Sequence, residues 1–361
     1  MHFPAPSEAD HAAHFADCDN RVNGALDEFF QASARRAIAY GPQYVELWHT
    51  LHQNTAGGKL FRPRLVFTAY QALGGDDLDA AAWMGAAFEL LHTALIVHDD
   101  VIDRDFVRRG QVNLSGRYRD RARAAGVSAD VADHHGLSAA VVAGDLALFY
   151  SYRLVDRTGA RNGTRDRLLQ LMDDALFASA AGELLDVEFT GAITIPTVEN
   201  ILRMARLKTA VYSFEGPLQA GAILAGASDD IVTSLEEFGR EVGTAYQIVD
   251  DLLGIFGHEQ HTGKSATSDL REGKRTVLVA HAAETALWTS IEPLFGKPTL
   301  TEAQAEQLRS MFDASGAREY AERLVRQHAE RAHAVLARPH MEGALRHALA
   351  PLVDVVLRRV R

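Results

Sequence analysis

Residues 81–103 read AAWMGAAFELLHTALIVHDDVID, an apolar stretch that closes on Asp99, Asp100 and Asp103, with Asp105 just beyond. Apolar side chains recur at three- and four-residue spacing, which predicts an α-helix. The end of that helix is electrostatically awkward. Neighbouring like charges cost about 0.2–0.5 kcal/mol per pair, and a helix carboxyl end already carries about half a negative charge. Asp99 and Asp103 stand four apart and share one face. The stretch is either a solvated end or a place that expects a cation.

A second stretch repeats the device. Residues 246–254 read YQIVDDLLG, again an aspartate pair closing an apolar helix, with Gln247 one turn before Asp250. Two such clusters about 150 residues apart could face one another across a cavity. Hard carboxylate oxygens of this kind suit Mg2+, which binds one or two carboxylates together with substrate phosphates. Basic residues supply the complement: Lys59, Arg62 and Arg64 in GGKLFRPR, Arg108 and Arg109 after the first aspartates, Lys208 in RLKTAVYSF, and Lys264 and Lys274 after the second cluster. Only five of the 37 basic residues are lysine, and four of the five fall in these short motifs. Arginine forks and lysine point charges of this kind suit diphosphate groups.

The rest of the chain frames these motifs. It has 361 residues, 47% hydrophobic and 24% charged, and a net charge of −11. That balance suits a globular protein with a large core and argues against nucleic acid as a partner. The single cysteine, Cys18, excludes an internal disulfide and points to a reducing cytoplasm. No transmembrane helix is expected, since no apolar run of about 18 residues lacks a charge or histidine. Helical periodicity extends through segments such as SAAVVAGDLALFYSYRLVDR and EEFGREVGTAYQIVDDLLGIFG, so the fold class is all-α. Residues 1–24 are expected to be a flexible tail and 25–361 a single domain. Thr197 or Asn200 could cap the helix after GAITIPT. His134 and His135 read as a solvated loop.

In combination these motifs resemble the trans-isoprenyl diphosphate synthases of the polyprenyl synthetase family. The blocks occur in order: GGKxxRP (57–63), DDxxD with the following RRG (99–110), GD (144–145), KT (208–209), and QxxDD…TGK…DLREGK (247–274). The resemblance implies an isoprenoid-synthase-type helical bundle around a deep central cavity, usually a homodimer. It implies head-to-tail condensation of isopentenyl diphosphate with an allylic diphosphate. Asp99 and Asp103 would bind two Mg2+ and Asp250 a third, three in all. Arg108, Lys208 and Lys264 would hold the allylic diphosphate, while Lys59, Arg62, His92 and Arg109 would hold that of isopentenyl diphosphate. Lys274 would help near the mouth, and the basic C-terminus LRRVR would close over the site. Thr209, Gln247 and the Lys208 carbonyl would face the allylic cation. Glu183 and Asp186 lie where relatives often carry a polar pair near the allylic site.

Two positions depart from the family pattern. The second motif has Gly254 at its third carboxylate, which implies weaker metal organisation with retained activity. GGKLFRP has Leu60 where many relatives carry arginine, a change expected only to trim surface charge.

Product length should be set by the helix wall below Asp99. Ala94 and Leu95 stand five and four residues before it, about 6–7.5 Å down the helix at 1.5 Å per residue. In this family an aromatic there tends to stop products at C15. Alanine and leucine leave the channel open, so geranylgeranyl diphosphate (C20) is expected, with Phe88, Phe149 and Tyr150 as further candidate blocks. The alternatives are a longer-chain or farnesyl diphosphate synthase, a class I terpene cyclase, and a non-catalytic subunit of a heteromeric synthase. The retained basic motifs and aspartates speak against the last two.

Overall fold

The computed structural model describes residues 8–108, 110–191, 194–257 and 267–359, with side chains from Phe15 onward except that of Ser268. Of the expected site residues, Arg109 and Lys264 lie outside the described residues, as do Val360 and Arg361 of the basic C-terminus. In chain order the helices are α1 (Glu8–Ala37), α2 (Pro42–Thr55), α3 (Phe61–Ala72), α4 (Leu78–Ile102), α5 (Leu114–Ala124), α6 (Ala129–Val155), α7 (Asn162–Gly191), α8 (Val198–Ala205), α9 (Gly216–Leu224), α10 (Asp229–Phe256), α11 (Ser268–Glu272), α12 (Val277–Ala283), α13 (Trp288–Ile291), α14 (Glu302–Ala314), α15 (Ala317–Leu336) and α16 (Gly343–Arg359). A π-helical segment, Arg206–Glu215, joins α8 to α9. The strands among the described residues are β1 (Val107–Arg108) and β2 (Gln111–Val112), paired antiparallel.

The chain forms two compact units. The first comprises Met1–Met172 with Pro217–Ala227, and the second Asp173–Gly216 with Ser228–Arg361. In the first unit α4 is the core helix, packed against α6, α3 and α1. Its Met84, Phe88, Leu90 and Leu91 are fully buried, and each such side chain contributes about 1.5–3 kcal/mol relative to exposure. Asp77 starts the helix by accepting from the Ala80 N–H at 3.0 Å. By length and composition α4 could cross a membrane, but 78% of its most apolar window is buried within the protein. In the second unit α10 packs against α15, the π segment and α16. Arg206 grips the buried Glu215 through two bonds of 2.9 Å, which pins both ends of the π segment.

Three expectations change. The tail was placed at residues 1–24, but α1 starts at Glu8 and runs through that boundary. Cys18, Val22, Ala25, Leu26, Phe29 and Phe30 are buried and form one apolar stripe of helical period. The polar residues between them, which made the stretch look loose, are its outer face. Asp19 anchors this helix to Arg64 of α3 by bonds of 3.0 and 2.5 Å. Leu60 does not trim surface charge: it is 5% exposed and sits in a left-handed conformation (φ 45°) as the cap of α3. His134 and His135 are exposed, yet they belong to the first turns of α6 and not to a loop. Thr197, rather than Asn200, supplies the cap of α8.

Burial pushes the Cys18 thiol up to about 12, with Asp19 adding to the effect. A buried, protonated thiol is a poor nucleophile. Cys18 is therefore expected to resist Ellman's reagent in the native protein and to react fully in guanidinium chloride. Rapid native labelling would show that the first half of α1 is not docked.

Candidate active site

In the first unit the exposed side of α4 carries His92, Leu95, Ile96, Asp99 and Asp103, while Ala94, Val97 and Asp100 are buried. Asp103 keeps helical geometry as the last position, its N–H bonded to the Asp99 carbonyl at 2.9 Å. The two carboxylates expected to bind metal thus do share a face. Leu95 shares that face too, whereas Ala94 is turned into the core.

The chain then folds back as the β1–β2 hairpin, whose turn contains Gly110 at φ 71°. That return carries Arg108 to the foot of α4. Its Nε donates to Asp100 at 2.7 Å and its Nη2 to Asp99 at 2.6 Å. Asp100 is only 2% exposed. Burial pushes its carboxyl up to about 6, against the opposing pull of Arg108. Burial also works against the Arg108 charge, but Asp100 and Asp99 more than offset it and hold the proton more tightly.

Asn113 secures the hairpin. It donates to the Asp105 carbonyl at 2.9 Å and accepts from the Gly116 N–H at 2.8 Å, which caps α5. Asn113 was not singled out in the sequence, although an asparagine directly before a helix is a capping signal; Asp100 was named there only as one of the aspartates that close the helix.

The remaining first-unit residues flank α3 and α6. Lys59 is exposed on the turn before α3. Arg62, in the first turn of α3, lies 3.8 Å from the buried Glu89 of α4. His98 pairs with Asp145 at 3.3 Å, and its ring lies over Gly144, so the GD motif makes room for this histidine and then binds it. Tyr150 belongs to an aromatic cluster with Phe29 and Trp48. Phe149 is 61% exposed and Phe88 is fully buried.

The second unit gathers its own set around the end of α10. Asp186, Lys208, Thr209, Gln247, Asp251 and Lys274 line one cleft. Lys208 bonds to Asp186 at 2.7 Å and to Glu183 at 3.0 Å. Its backbone is pressed against α7 at Gly182, where a Cβ would overlap the Lys208 amide nitrogen. Such π turns are frequent at functional sites. Gln247 donates to Asp251 at 3.0 Å. Asp251 is 6% exposed, and burial pushes it up to about 7 while Lys274 pulls the other way. Burial opposes the Lys274 charge as well, but Asp251, Asp269 and Asp186 outweigh it and raise its pKa. Asp250 accepts from Arg359 of α16 at 2.7 Å, and that guanidinium also lies 4.4 Å above the Tyr246 ring.

Each aspartate pair is divided in the same way. The inner member, Asp100 or Asp251, is buried against a basic side chain; the outer member, Asp99 or Asp250, stays accessible. Successive helical residues point about 100° apart, so a DD pair at the edge of a core must split like this. Among the described residues no group of three or more metal-ligating side chains is assembled. Mg2+ does not need one, since it binds through one or two carboxylates and completes its shell with water and phosphate oxygens. The i, i+4 carboxylates of Asp99 and Asp103 and the accessible Asp250 fit that demand.

The sequence profile of the family described as Polyprenyl synthetase matches residues 45–312. A geranylgeranyl diphosphate synthase of Sulfolobus acidocaldarius is 34% identical over 273 residues, covering 75% of this chain and 74% of the relative. A geranylfarnesyl diphosphate synthase of Aeropyrum pernix is 32% identical over 317 residues, 86% and 93% of the two chains. Among solved structures, a geranylgeranyl pyrophosphate synthase of Corynebacterium glutamicum, complexed with isoprenyl diphosphate and magnesium, superposes with a TM-score of 0.86 at 28% identity. The match covers 94% of this chain and 97% of that one.

Replacing Arg108 by Met should leave Asp100 buried beside Asp99 without its counter-charge. Breaking a buried pair costs about 3–5 kcal/mol, and the partial exposure of Arg108 reduces this to about 2 kcal/mol. Urea unfolding at pH 7 measures it, and an unchanged midpoint would show that the pair contributes no net stability.

Proposed function

The chain belongs to the polyprenyl synthetase family and is a trans-prenyltransferase; on that premise we propose that it extends an allylic diphosphate with isopentenyl diphosphate to geranylgeranyl diphosphate. The observation that carries this reading is the second-unit cleft. There Lys208, Lys274, Thr209 and Gln247 line one cleft, so that it carries both cationic side chains and neutral oxygen-bearing ones. Cations for a leaving diphosphate and neutral oxygens for a carbocation are what this condensation requires.

Lys208 and Lys274 would bind the allylic diphosphate, with Lys264 and Arg108 assigned to the same group. Asp99, Asp103 and Asp250 would hold Mg2+, three ions by the family pattern. When bound, Mg2+ supplies neutralisation of the charge that develops on the departing diphosphate. Gln247 spends an amide hydrogen on Asp251, so its carbonyl oxygen is the end left to stabilise the allylic cation. Thr209 and the Lys208 carbonyl act alongside it. Lys59, Arg62, His92 and Arg109 would orient isopentenyl diphosphate so that its terminal alkene carbon attacks the allylic C1. The allylic C–O bond breaks, a C–C bond forms, and a proton leaves the isopentenyl C2 for the released diphosphate. No dedicated protein base is needed.

A homodimer is part of the same reading. It is supported by α6, which exposes Val141, Val142 and Phe149 at 42%, 50% and 61%. Isolated exposed apolar residues are ordinary, but several on one helix, Val131 among them, suit a subunit contact.

The purified enzyme with Mg2+, farnesyl diphosphate and isopentenyl diphosphate should yield C20 product, read by chromatography after phosphatase treatment. No product of C20 or longer would overturn the reading. Leu95→Phe should shift the product toward C15, because Leu95 lies on the face of Asp99. Ala94→Phe is the poorer test, since overpacking a fully buried site costs about 1–3 kcal/mol before any effect on length.

A further inference from the structure

The π segment Arg206–Glu215 brings Lys208 and Thr209 to the second-unit cleft, and its two end residues hold one another. Arg206 donates from Nε and from Nη2 to the Glu215 carboxylate, each at 2.9 Å. Glu215 is only 2% exposed. Nine residues separate the pair. An α-helix completes about two and a half turns over that span, which would set Arg206 and Glu215 on opposite faces. The wider π turn, closed by i→i+5 bonds, fits the same span into about two turns and returns both ends to one face. The clasp therefore suits the π form and not the α form.

The neighbouring helices make room for the wider coil. On α7 a Cβ at Gly182 would overlap the Lys208 amide nitrogen. On α10 a Cβ at Gly239 would come within 2.8 Å of the Glu215 Cα, and one at Gly243 within 2.7 Å of the Ala210 Cβ. These glycines permit the π form without fastening it. π turns occur mostly singly inside α-helices, so a run of ten residues needs a restraint. Arg206 and Glu215 supply it, with Glu236 as a weaker third partner at 3.4 Å.

We infer that Arg206 and Glu215 are positioning residues for the condensation, their clasp holding the segment in the form that aims Thr209 and the Lys208 carbonyl at the allylic cation. This rests on the function proposed above. A backbone carbonyl and a short side chain follow the register of the segment that bears them. The Lys208 ammonium is different, since it ends a long side chain and is held by Asp186 and Glu183. Loss of the clasp should thus disturb stabilisation of the cation and spare binding of the diphosphate. The competing role for the pair is to stabilise the second unit and nothing more.

The test uses Arg206→Met/Glu215→Leu, because exchanging a buried ion pair for apolar residues often leaves stability unchanged or improved. Single-turnover condensation of farnesyl diphosphate with isopentenyl diphosphate at saturating Mg2+ reads the chemical step. Calorimetric binding of farnesyl thiolodiphosphate, an analogue that resists ionisation, reads the ground state. The rate constant should fall about 100-fold, the range for misplacing a catalytic group by about 1 Å. The dissociation constant should stay within about twofold, since the lost interaction belongs to the transition state. Arg206→Lys keeps the charge without the two-pronged fork, and its rate should lie between those of the double variant and the unmodified enzyme. A folded double variant with an unchanged rate constant, or one whose loss lies in analogue affinity, overturns the inference. If the double variant does not fold by near-UV circular dichroism, Arg206→Lys decides. A lowered rate with unchanged affinity then supports the inference, and an unchanged rate or a weakened affinity overturns it. Absence of any condensation by the unmodified enzyme would instead overturn the proposed function, and this inference with it.

Discussion

Arg108 clasping Asp99 and Asp100 is the contact that neutralises the aspartate-rich carboxyl end of α4, the core helix of the first unit. Without a counter-charge, three aspartates would meet the negative end of the dipole of the most buried helix in their unit. The hairpin exists to bring that arginine back. Gly110 turns it, Asn113 ties it to Asp105, and α5 begins only once Asn113 is in place.

The second unit solves the same problem with different parts. Lys274 answers Asp251, and Arg359 answers Asp250. In both units the inner aspartate of the pair is the one spent on structure. An ionised carboxylate buried to this degree persists only with a partner, since desolvation otherwise drives it to its neutral form. Raised values of about 6 for Asp100 and about 7 for Asp251 record that tension. The outer aspartates, Asp99 and Asp250, stay partly exposed while pairing with Arg108 and Arg359.

Much of this was legible in the residues. The helical period of α4 and α10, the placement of Asp99 and Asp103 on one face, and the scarcity of lysine outside the basic motifs needed no coordinates. The basic residues were harder to read, because a guanidinium or ammonium group finds partners through space. Lys208 was assigned to a diphosphate, and the structure adds that Glu183 and Asp186 hold it. Leu60 and the first half of α1 were misjudged for a related reason. Both look polar or marginal in their own neighbourhoods, and only packing against other helices reveals that they are covered.

The amino-acid sequence by itself determined the all-α class, the two carboxylate helix ends and the family's motifs, because helical period and charge placement are properties of neighbours along the chain. Tertiary structure decided which aspartate of each pair is buried, that Leu95 rather than Ala94 shares the face of Asp99, and that α7 and α10 close on the π segment at Gly182 and Gly239. Those outcomes depend on what approaches a helix from residues distant in sequence, and the pattern of the helix alone cannot specify that approach.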